Sequence, residues 1–220
     1  MINFLRKNKI DLPECIADAD LVVVDLDACL EVFPLRTGEV RDELAFYFSW
    51  KYDVELILDP LYPAIDRLAA RLVPKAQKEA MQIVGRWEAR TMPWATPRMP
   101  VLRLIRRAAA AGKLVAIVSY KMQYTVGQFV RKFGLAASVD AIIGGDDVRL
   151  GRPHPESLLA ALGATGFSPR ESVFLANGKI GYTMGKNAGV PIYSYEYALT
   201  AGSLLPSHRS LREQTETVAG

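Results

Sequence analysis

The sequence predicts an α/β fold in which a doubly wound parallel sheet carries an inserted α-helical subdomain. Short apolar runs recur along the chain, each followed by turn residues and then by a helical pattern, and this alternation is typical of such a sheet. One long segment between the first two apolar runs breaks the alternation, which indicates the insertion. Half of the 220 residues are hydrophobic, enough to form a packed core. We therefore expect a Rossmann-like core and a smaller helical subdomain.

Five apolar runs predict the strands. Their hydrophobicity is nearly continuous, as expected for strands that are covered by helices on both faces. The predicted strands are Leu21–Leu26, Leu114–Ser119, Ala141–Gly145, Ser172–Ala176 and Pro191–Tyr195.

Four segments between these runs predict the helices of the core. They have suitable length and are bounded by glycine, proline or polar turn residues. The predicted helices are Pro100–Ala111, Gln123–Phe133, Pro155–Leu162 and Tyr182–Asn187.

The segment between the first and second predicted strands has roughly 85 residues, far more than a single crossover helix needs. Leu44–Leu58 and Leu61–Arg90 have largely helical patterns that are interrupted by prolines. We therefore predict a helical subdomain at residues 31–96 and a core formed by residues 1–30 and 97–220.

Charge, cysteine content and hydropathy exclude several classes of protein. The formal charge is +3 and the basic residues are scattered, which argues against a dedicated nucleic-acid-binding protein. Two cysteines, Cys15 and Cys29, form neither a disulfide framework nor a metal cluster. We see no secretory signal and no apolar window near the ~18 residues of a membrane span. We expect a cytoplasmic protein without membrane partners, either a monomer or a homodimer.

Polar residues follow the predicted strands, where ligands bind in sheets of this kind. Asp25 and Asp27 follow the first strand. The second is followed by Ser119 and Tyr120, the third by Asp146, Asp147 and Arg152, and the fourth by Asn177 and Lys179.

These residue types suit phosphoryl transfer. An aspartate such as Asp25 can attack a phosphoryl group, and a second carboxylate, Asp27, can act as general acid and then base. Ser119 and Arg152 can supply the hydrogen bonds and positive charge that an anionic phosphate requires. The pair Asp25 and Asp27 also fits a simpler function, that of capping the turn after the strand.

Four ordered segments resemble the motifs of the haloacid dehalogenase superfamily. They read "VVVDLDACL", "LVAIVSYKM", "GGDDVRLGRPHPESLLAAL" and "VFLANGKIGYTMGKNAGV". The third and fourth are similar to those of the phosphoglycolate-phosphatase-like and β-phosphoglucomutase-like branch, and the resemblance covers nearly the whole chain.

The resemblance implies a role for each matching residue. Asp25 matches the nucleophile and Asp27 the acid/base, Ser119 matches the hydroxyl that binds the phosphoryl group, and Arg152 stands where the family usually has a lysine. Tyr120, next to Ser119 at the strand end, is a further candidate for binding the phosphate. The inserted helices match the cap that closes over the substrate and selects it.

The fourth motif departs from the family pattern. Ala176, Asn177 and Gly181 occupy positions where metal-dependent relatives have carboxylates. Because Mg²⁺ prefers charged oxygen ligands, a site made of Asp25, Asp27 and Asn177 is expected to bind it weakly. Lys179 could instead supply the missing positive charge, although a lysine in a loop more often points to solvent.

The resulting prediction is a hydrolase, a phosphatase that acts on a small phosphorylated metabolite through an aspartyl-phosphate on Asp25. The alternative is a catalytically weak or inactive member that binds a phosphorylated or organic-acid ligand or serves as a scaffold. A metal-independent dehalogenase-like hydrolase ranks third, because that branch replaces the second aspartate whereas Asp27 is retained.

Overall fold

In the computed structural model, which describes residues 12–73 and 75–194, five parallel strands form the main sheet. The order across the sheet is β5-β4-β1-β6-β7, so the first strand is central. The strands of this sheet are β1 (Leu21–Asp25), β4 (Leu114–Val118), β5 (Ala141–Ile143), β6 (Ser172–Ala176) and β7 (Ile192–Ser194). Each matches a predicted strand within two residues at either end, and the predicted end at Tyr195 lies outside the described residues.

Two further short strands, β2 (Glu31–Val32) and β3 (Thr96–Pro97), pair antiparallel with each other. The helices are α1 (Glu14–Ala17), α2 (Thr37–Tyr52), α3 (Leu61–Asp66), α4 (Leu68–Arg71), α5 (Ala76–Thr91), α6 (Met99–Ala110), α7 (Gln123–Lys132), α8 (Glu156–Thr165) and α9 (Gly178–Ala188). None of these helices is both long and apolar enough to cross a membrane.

Strand β1 explains why the apolar runs are continuous. All five of its residues are buried, and successive side chains point to opposite faces of the sheet. Val22 and Val24 join an apolar cluster with α6 and α7. Leu21 and Val23 join a second cluster with α8 and α9. The sheet is therefore covered on both sides, and the predicted doubly wound α/β core is confirmed.

Helices α2 to α5 pack around an apolar cluster of their own, which includes Leu44, Phe48 and Val84. Their boundaries differ from the prediction. The predicted helix Leu44–Leu58 is α2, which begins at Thr37 and ends at Tyr52, because the next residue, Asp53, adopts a left-handed conformation (φ 52°) that stops the helix. The predicted helix Leu61–Arg90 is divided into α3, α4 and α5.

The last core helix, α9, begins four residues earlier than the predicted Tyr182. Glycines at positions 178, 181 and 185 lower its intrinsic helix propensity, so the sequence pattern does not indicate a helix over its first turn. Packing explains two of them. A Cβ on Gly181 would lie 2.7 Å from the Cβ of Ala176, and one on Gly185 would lie 2.5 Å from Ile192. The glycines therefore let α9 lie close to the sheet.

Candidate active site

Asp25 is the last residue of β1 and is only 1% exposed. A single π-type turn, Leu26–Leu30, follows it, and the amide of Ala28 in this turn donates to Asp25 Oδ1 at 3.2 Å. Arg152 Nη1 donates to the same oxygen at 2.8 Å. Burial raises the pKa of Asp25, and the guanidinium of Arg152 acts in the opposite direction. Asp25 is thus a buried carboxylate with one charged partner.

The carboxylate of Asp27 lies in a set of converging donors. It accepts hydrogen bonds from Ser119 Oγ at 3.0 and 3.1 Å, from the amide of Tyr120 at 2.8 Å and from Lys121 Nζ at 2.6 Å. Arg152 Nη1 lies 3.5 Å from its Oδ2. Burial alone would raise the pKa of Asp27, but Lys121 and Arg152 outweigh burial and lower it to about 2. These donors form an anion-binding site that a carboxylate occupies.

Arg152 reaches this site from the loop before α8 and is buried. Its Nη2 donates to the carbonyl of Val118 at 3.1 Å, which fixes the guanidinium beside the end of β4. The guanidinium lies 4.7 Å from the ring centre of Tyr120, an arrangement that adds a cation–π attraction. Tyr120 also contacts the inserted helices, because its ring stacks on that of Tyr62 in α3 with 5.0 Å between the ring centres.

The side chain of Lys121 is a buried cation that sequence reasoning did not single out. It forms ion pairs with Asp27 and with Glu31 of β2, and both Lys121 and Glu31 are at most 5% exposed. Burial raises the pKa of Glu31 to about 7, while Lys121 opposes that shift. Lys121 remains charged, because its two acidic partners outweigh the burial that would lower its pKa.

Glu88 of α5 joins the inserted helices to the core. It is fully buried. Its Oε1 accepts from Tyr62 Oη at 3.0 Å, and its Oε2 accepts from the amide of Met122, in the loop after β4, at 3.1 Å. Burial raises the pKa of Glu88. A buried carboxylate with these partners ties α3 and α5 to the loop that carries Ser119.

A narrow cleft separates the inserted helices from the core at this point. Ser119, Tyr120 and Arg152 line it from the core, and Tyr62, Asp66 and Met81 of α3 and α5 also contribute. Its free volume is about 10 Å³, the space of roughly one water molecule. The cleft is therefore closed, and Asp25 is inaccessible to a ligand of metabolite size in this conformation.

The described residues fit a magnesium ion poorly. No group of three or more His, Cys, Asp and Glu side chains within the described ranges is arranged to hold a metal. Ala176 and Gly181 have no side-chain oxygen. Asn177 offers a neutral amide, whose nitrogen donates to the carbonyl of Ala28 at 3.4 Å. Mg²⁺ is usually bound through one or two carboxylates. Here Asp25 and Asp27 are already paired with the cations Arg152 and Lys121.

The structure brings Asp25, Asp27, Ser119, Tyr120 and Arg152 together, as the strand-end argument predicted. Asp146 and Asp147 follow β5 on the surface instead: Asp146 accepts from the amide of Gln123, and Asp147 from the amide of Gly144.

Lys179 is exposed in the first turn of α9, and the ion pairs found among the described residues include none between it and Asp25 or Asp27. Lys121 is the lysine that contacts Asp27. Its signal in the sequence is its position two residues after Ser119, at the end of a predicted strand.

Glu31 and Glu88 also have signals in the sequence. Glu31 is a lone charge in the apolar run "CLEVF". Glu88 follows Met81 and Val84 at the spacing of one helix face, and all three are buried. A carboxylate in an apolar pattern is a candidate for a buried polar network, because burying an unpaired charge is costly.

A family model described as haloacid dehalogenase-like hydrolase matches residues 50–194. The chain is 27% identical over 184 residues to the pyrophosphatase PpaX of Halalkalibacterium halodurans, which covers 83% of this chain and 86% of that protein. It is 25% identical over 128 residues to a phosphoglycolate phosphatase of Yersinia pseudotuberculosis, over 58% of this chain and 55% of that protein.

Among solved structures, CbbY from Rhodobacter sphaeroides in complex with phosphate superposes with a TM-score of 0.57. The two chains are 19% identical, and the match covers 80% of this chain and 85% of that one. At this identity the likeness concerns the fold alone.

Proposed function

Since this chain belongs to the haloacid dehalogenase-like hydrolases, we propose that it hydrolyses phosphoric monoesters of a small metabolite, with the carboxylate of Asp25 as nucleophile. The resemblance deduced from the four motifs is confirmed, and the curated relatives include phosphatases. The inserted helices, at residues 31–96, would act as the cap over the site.

One observation carries the proposal: a set of anion donors lies next to Asp25. Ser119 Oγ, the amide of Tyr120, Lys121 Nζ and Arg152 Nη1 all lie within 3.5 Å of the carboxylate of Asp27. A phosphoryl group has the same charge sign and accepts the same hydrogen bonds. Arg152 contacts Asp25 as well, so a phosphate that takes the position of the Asp27 carboxylate would lie beside the nucleophile.

In the first step, an oxygen of Asp25 attacks phosphorus and the bond between phosphorus and the leaving oxygen breaks. The product is an aspartyl-phosphate and an alcohol, and the alcohol oxygen takes a proton from Asp27. Water then attacks the phosphorus, Asp27 accepts the proton of that water, and Asp25 is released with inorganic phosphate. Arg152 and Lys121 would stabilise the negative charge on the phosphoryl oxygens.

Asp27 must hold a proton to act as the acid, although its pKa is about 2 in the closed structure. The low pKa comes from Lys121 and Arg152, which outweigh the burial of the carboxylate. A bound phosphate would take those donors from Asp27 and add a negative charge nearby. Both changes raise the pKa of Asp27, so substrate binding itself would prepare the acid.

A second candidate function is binding without turnover, and the weak donor set for magnesium favours it. Ala176 and Gly181 at the acidic positions of the fourth motif leave Asn177 as a neutral ligand. A member that binds a phosphorylated or organic-acid ligand would keep the anion donors and lose the hydrolytic rate.

The test is phosphate release from a panel of phosphorylated metabolites, with Mg²⁺ and with a chelator. Wild type is compared with Asp25→Asn and with Asp20→Asn, which changes an exposed aspartate just before the opposite end of β1. We expect turnover in the wild type and in Asp20→Asn, and its loss in Asp25→Asn. Trapped aspartyl-phosphate in the wild type would identify the nucleophile.

Two outcomes separate the alternatives. Absence of turnover together with specific binding of a phosphate ester would contradict the phosphatase and favour the binding protein. Turnover that persists in chelator but is lost in Lys179→Ala would assign the role of the metal to Lys179, whereas an unchanged rate in that variant would exclude this role.

A further inference from the structure

We propose that Asp66 selects substrates whose leaving group is neutral or cationic and rejects those that carry a second anionic group. The inference rests on the proposed phosphatase function and deepens it by naming the substrate class. The leaving group of a bound phosphate ester would lie at the end of the cleft opposite the anion donors.

The cleft has two chemically different ends. At the core end lie Ser119 and Arg152, which surround the anion-binding position. The other end is formed by Tyr62, Asp66 and Met81. A substrate whose phosphoryl group is held by Ser119 and Arg152 would extend its remaining atoms along this cleft, toward that second end.

Asp66 is the last residue of α3 and its carboxylate reaches the core. A Cβ added to Gly151 would lie 1.5 Å from Asp66 Oδ2, so the carboxylate occupies the place of a side chain at position 151. Asp66 Oδ1 accepts from Gln77 Nε2 at 3.3 Å, which orients the carboxylate without neutralising it. Burial raises the pKa of Asp66 to about 6, so most of it is ionised above pH 7.

The two buried cations beside the anion-binding position, Arg152 and Lys121, already have acidic partners. Arg152 pairs with Asp25 and Asp27, and it is the one cationic side chain among the described residues that line the cleft. Lys121 pairs with Asp27 and Glu31. The exposed Arg67, next to Asp66, lowers the pKa of Asp66, but burial outweighs this attraction. A carboxylate or second phosphate on the leaving group would therefore meet an aspartate whose charge is only partly compensated, and this repulsion weakens both binding and transition-state stabilisation. A hydroxyl or ammonium group would instead donate to Asp66.

Three esters of similar size isolate the charge of the leaving group. They are 2-phosphoglycolate, 2-hydroxyethyl phosphate and phosphoethanolamine, whose leaving groups carry a negative, a zero and a positive charge. Phosphate release gives kcat/KM for each, and calorimetry gives each dissociation constant. Wild type is compared with Asp66→Asn, in which the amide oxygen still accepts from Gln77. The matched control is Asp42→Asn, an exposed aspartate of α2 outside the cleft lining.

For the wild type we expect kcat/KM with 2-hydroxyethyl phosphate and phosphoethanolamine to exceed that with 2-phosphoglycolate by about tenfold or more. In Asp66→Asn this ratio of kcat/KM values should fall to about three or less, mainly because kcat/KM with 2-phosphoglycolate increases. Asp42→Asn should keep the wild-type ratio. Equal ratios in wild type and Asp66→Asn would overturn the role of Asp66, as would a preference of the wild type for 2-phosphoglycolate.

Failure of the proposed function gives a different pattern. If wild type releases no phosphate from any ester, hydrolysis is refuted while the three dissociation constants still report on Asp66, in the same order of preference. A protein that binds none of the three esters, and whose Asp66→Asn variant also binds none, would contradict both proposals.

Discussion

Lys121 is the residue on which the charge balance of the closed site depends. Its ammonium group pairs with Asp27 and Glu31, while Arg152 pairs with Asp25 and Asp27. Three carboxylates thus share two cations in a buried space. Removing one cation leaves a carboxylate without compensation, which costs more than the pair contributes in its intact form.

Lys121→Met should therefore destabilise the protein at pH 8 by roughly 3 kcal/mol, as expected when one partner of a buried pair is lost. The double variant Lys121→Met with Glu31→Gln should recover at least half of this loss, because one of the orphaned carboxylates becomes neutral. Urea unfolding measures both values. The control is Lys78→Met, an exposed lysine of α5, for which a change within about 0.5 kcal/mol is expected. Equal stability of Lys121→Met and wild type would refute this balance.

Glu31 makes the stability depend on pH near neutrality. Its pKa rises from 4.5 in the unfolded chain to about 7 in the folded protein. Between these values the folded state binds more protons, so the contribution of Glu31 is fully present below pH 4.5 and is lost as the pH rises through about 7. Glu31→Gln removes this dependence. The free energy of unfolding of Glu31→Gln, taken relative to that of wild type, should therefore increase by about 2–3 kcal/mol when the pH is raised from 5 to 8.

Urea unfolding of wild type and Glu31→Gln at pH 5, 6, 7 and 8 checks the slope. Glu55→Gln, an exposed position before α3, serves as the control and should follow wild type at every pH. A difference between wild type and Glu31→Gln that stays constant across this range would show that Glu31 ionises normally in the folded protein.

At the scale of elements, α3 contacts the core through two of its side chains. Tyr62 stacks on Tyr120, and Asp66 packs against Gly151. The start of α5 adds a weaker contact between Gln77 Nε2 and the carbonyl of Arg149 at 3.5 Å. The loop before α8 therefore needs a residue without a side chain where Asp66 approaches.

Gly151→Ala places a methyl group 1.5 Å from Asp66 Oδ2 and must displace the Asp66 carboxylate from its place. We expect a loss of about 1–3 kcal/mol, the usual cost of overpacking, and recovery when Asp66→Ala is added. Gly163→Ala is the matched control: an added Cβ there meets no atom within 4 Å, so it should gain about 0.5–1 kcal/mol through helix propensity. Urea unfolding measures all three. If adding Asp66→Ala to Gly151→Ala does not recover stability, the loss does not come from the contact between position 151 and Asp66.

The elements differ in how far the sequence predicts them. The strands were predictable because a parallel sheet covered on both faces leaves an apolar run, as Val22 to Val24 show. The first turn of α9 was not, because Gly178 and Gly181 have low helix propensity, although packing against Ala176 requires the glycine at position 181.

The same distinction applies to the site. Asp25, Asp27 and Ser119 follow from strand ends, since these meet at one edge of the sheet. Glu88 and Asp66 come from the insertion, and no spacing rule relates an inserted helix to a distant strand. Their placement depends on how the two parts pack, which the sequence pattern does not encode.

At the scale of the whole molecule, buried polar contacts hold the insertion against the core. Glu88 accepts from the amide of Met122, and the free volume of the cleft is about 10 Å³. Under the proposed mechanism, attack by Asp25 therefore requires that the insertion move away from the core and return, since Asp25 is 1% exposed when the cleft is closed. Such motion is a common gate in enzymes with lids.

A reversible cross-link tests this requirement. A Cβ at Gly85 of α5 would lie 3.1 Å from Met122 Cγ, close to disulfide geometry. The variant Gly85→Cys with Met122→Cys is made in a Cys15→Ser background, because Cys15 is half-buried whereas Cys29 is buried. Oxidation should reduce phosphate release at least about tenfold, and dithiothreitol should restore it, because the closed cleft excludes the substrate. Each single cysteine variant controls for the substitutions. Full turnover in the oxidised protein, with the cross-link verified by mass, would show that substrate reaches Asp25 without separation of the insertion from the core.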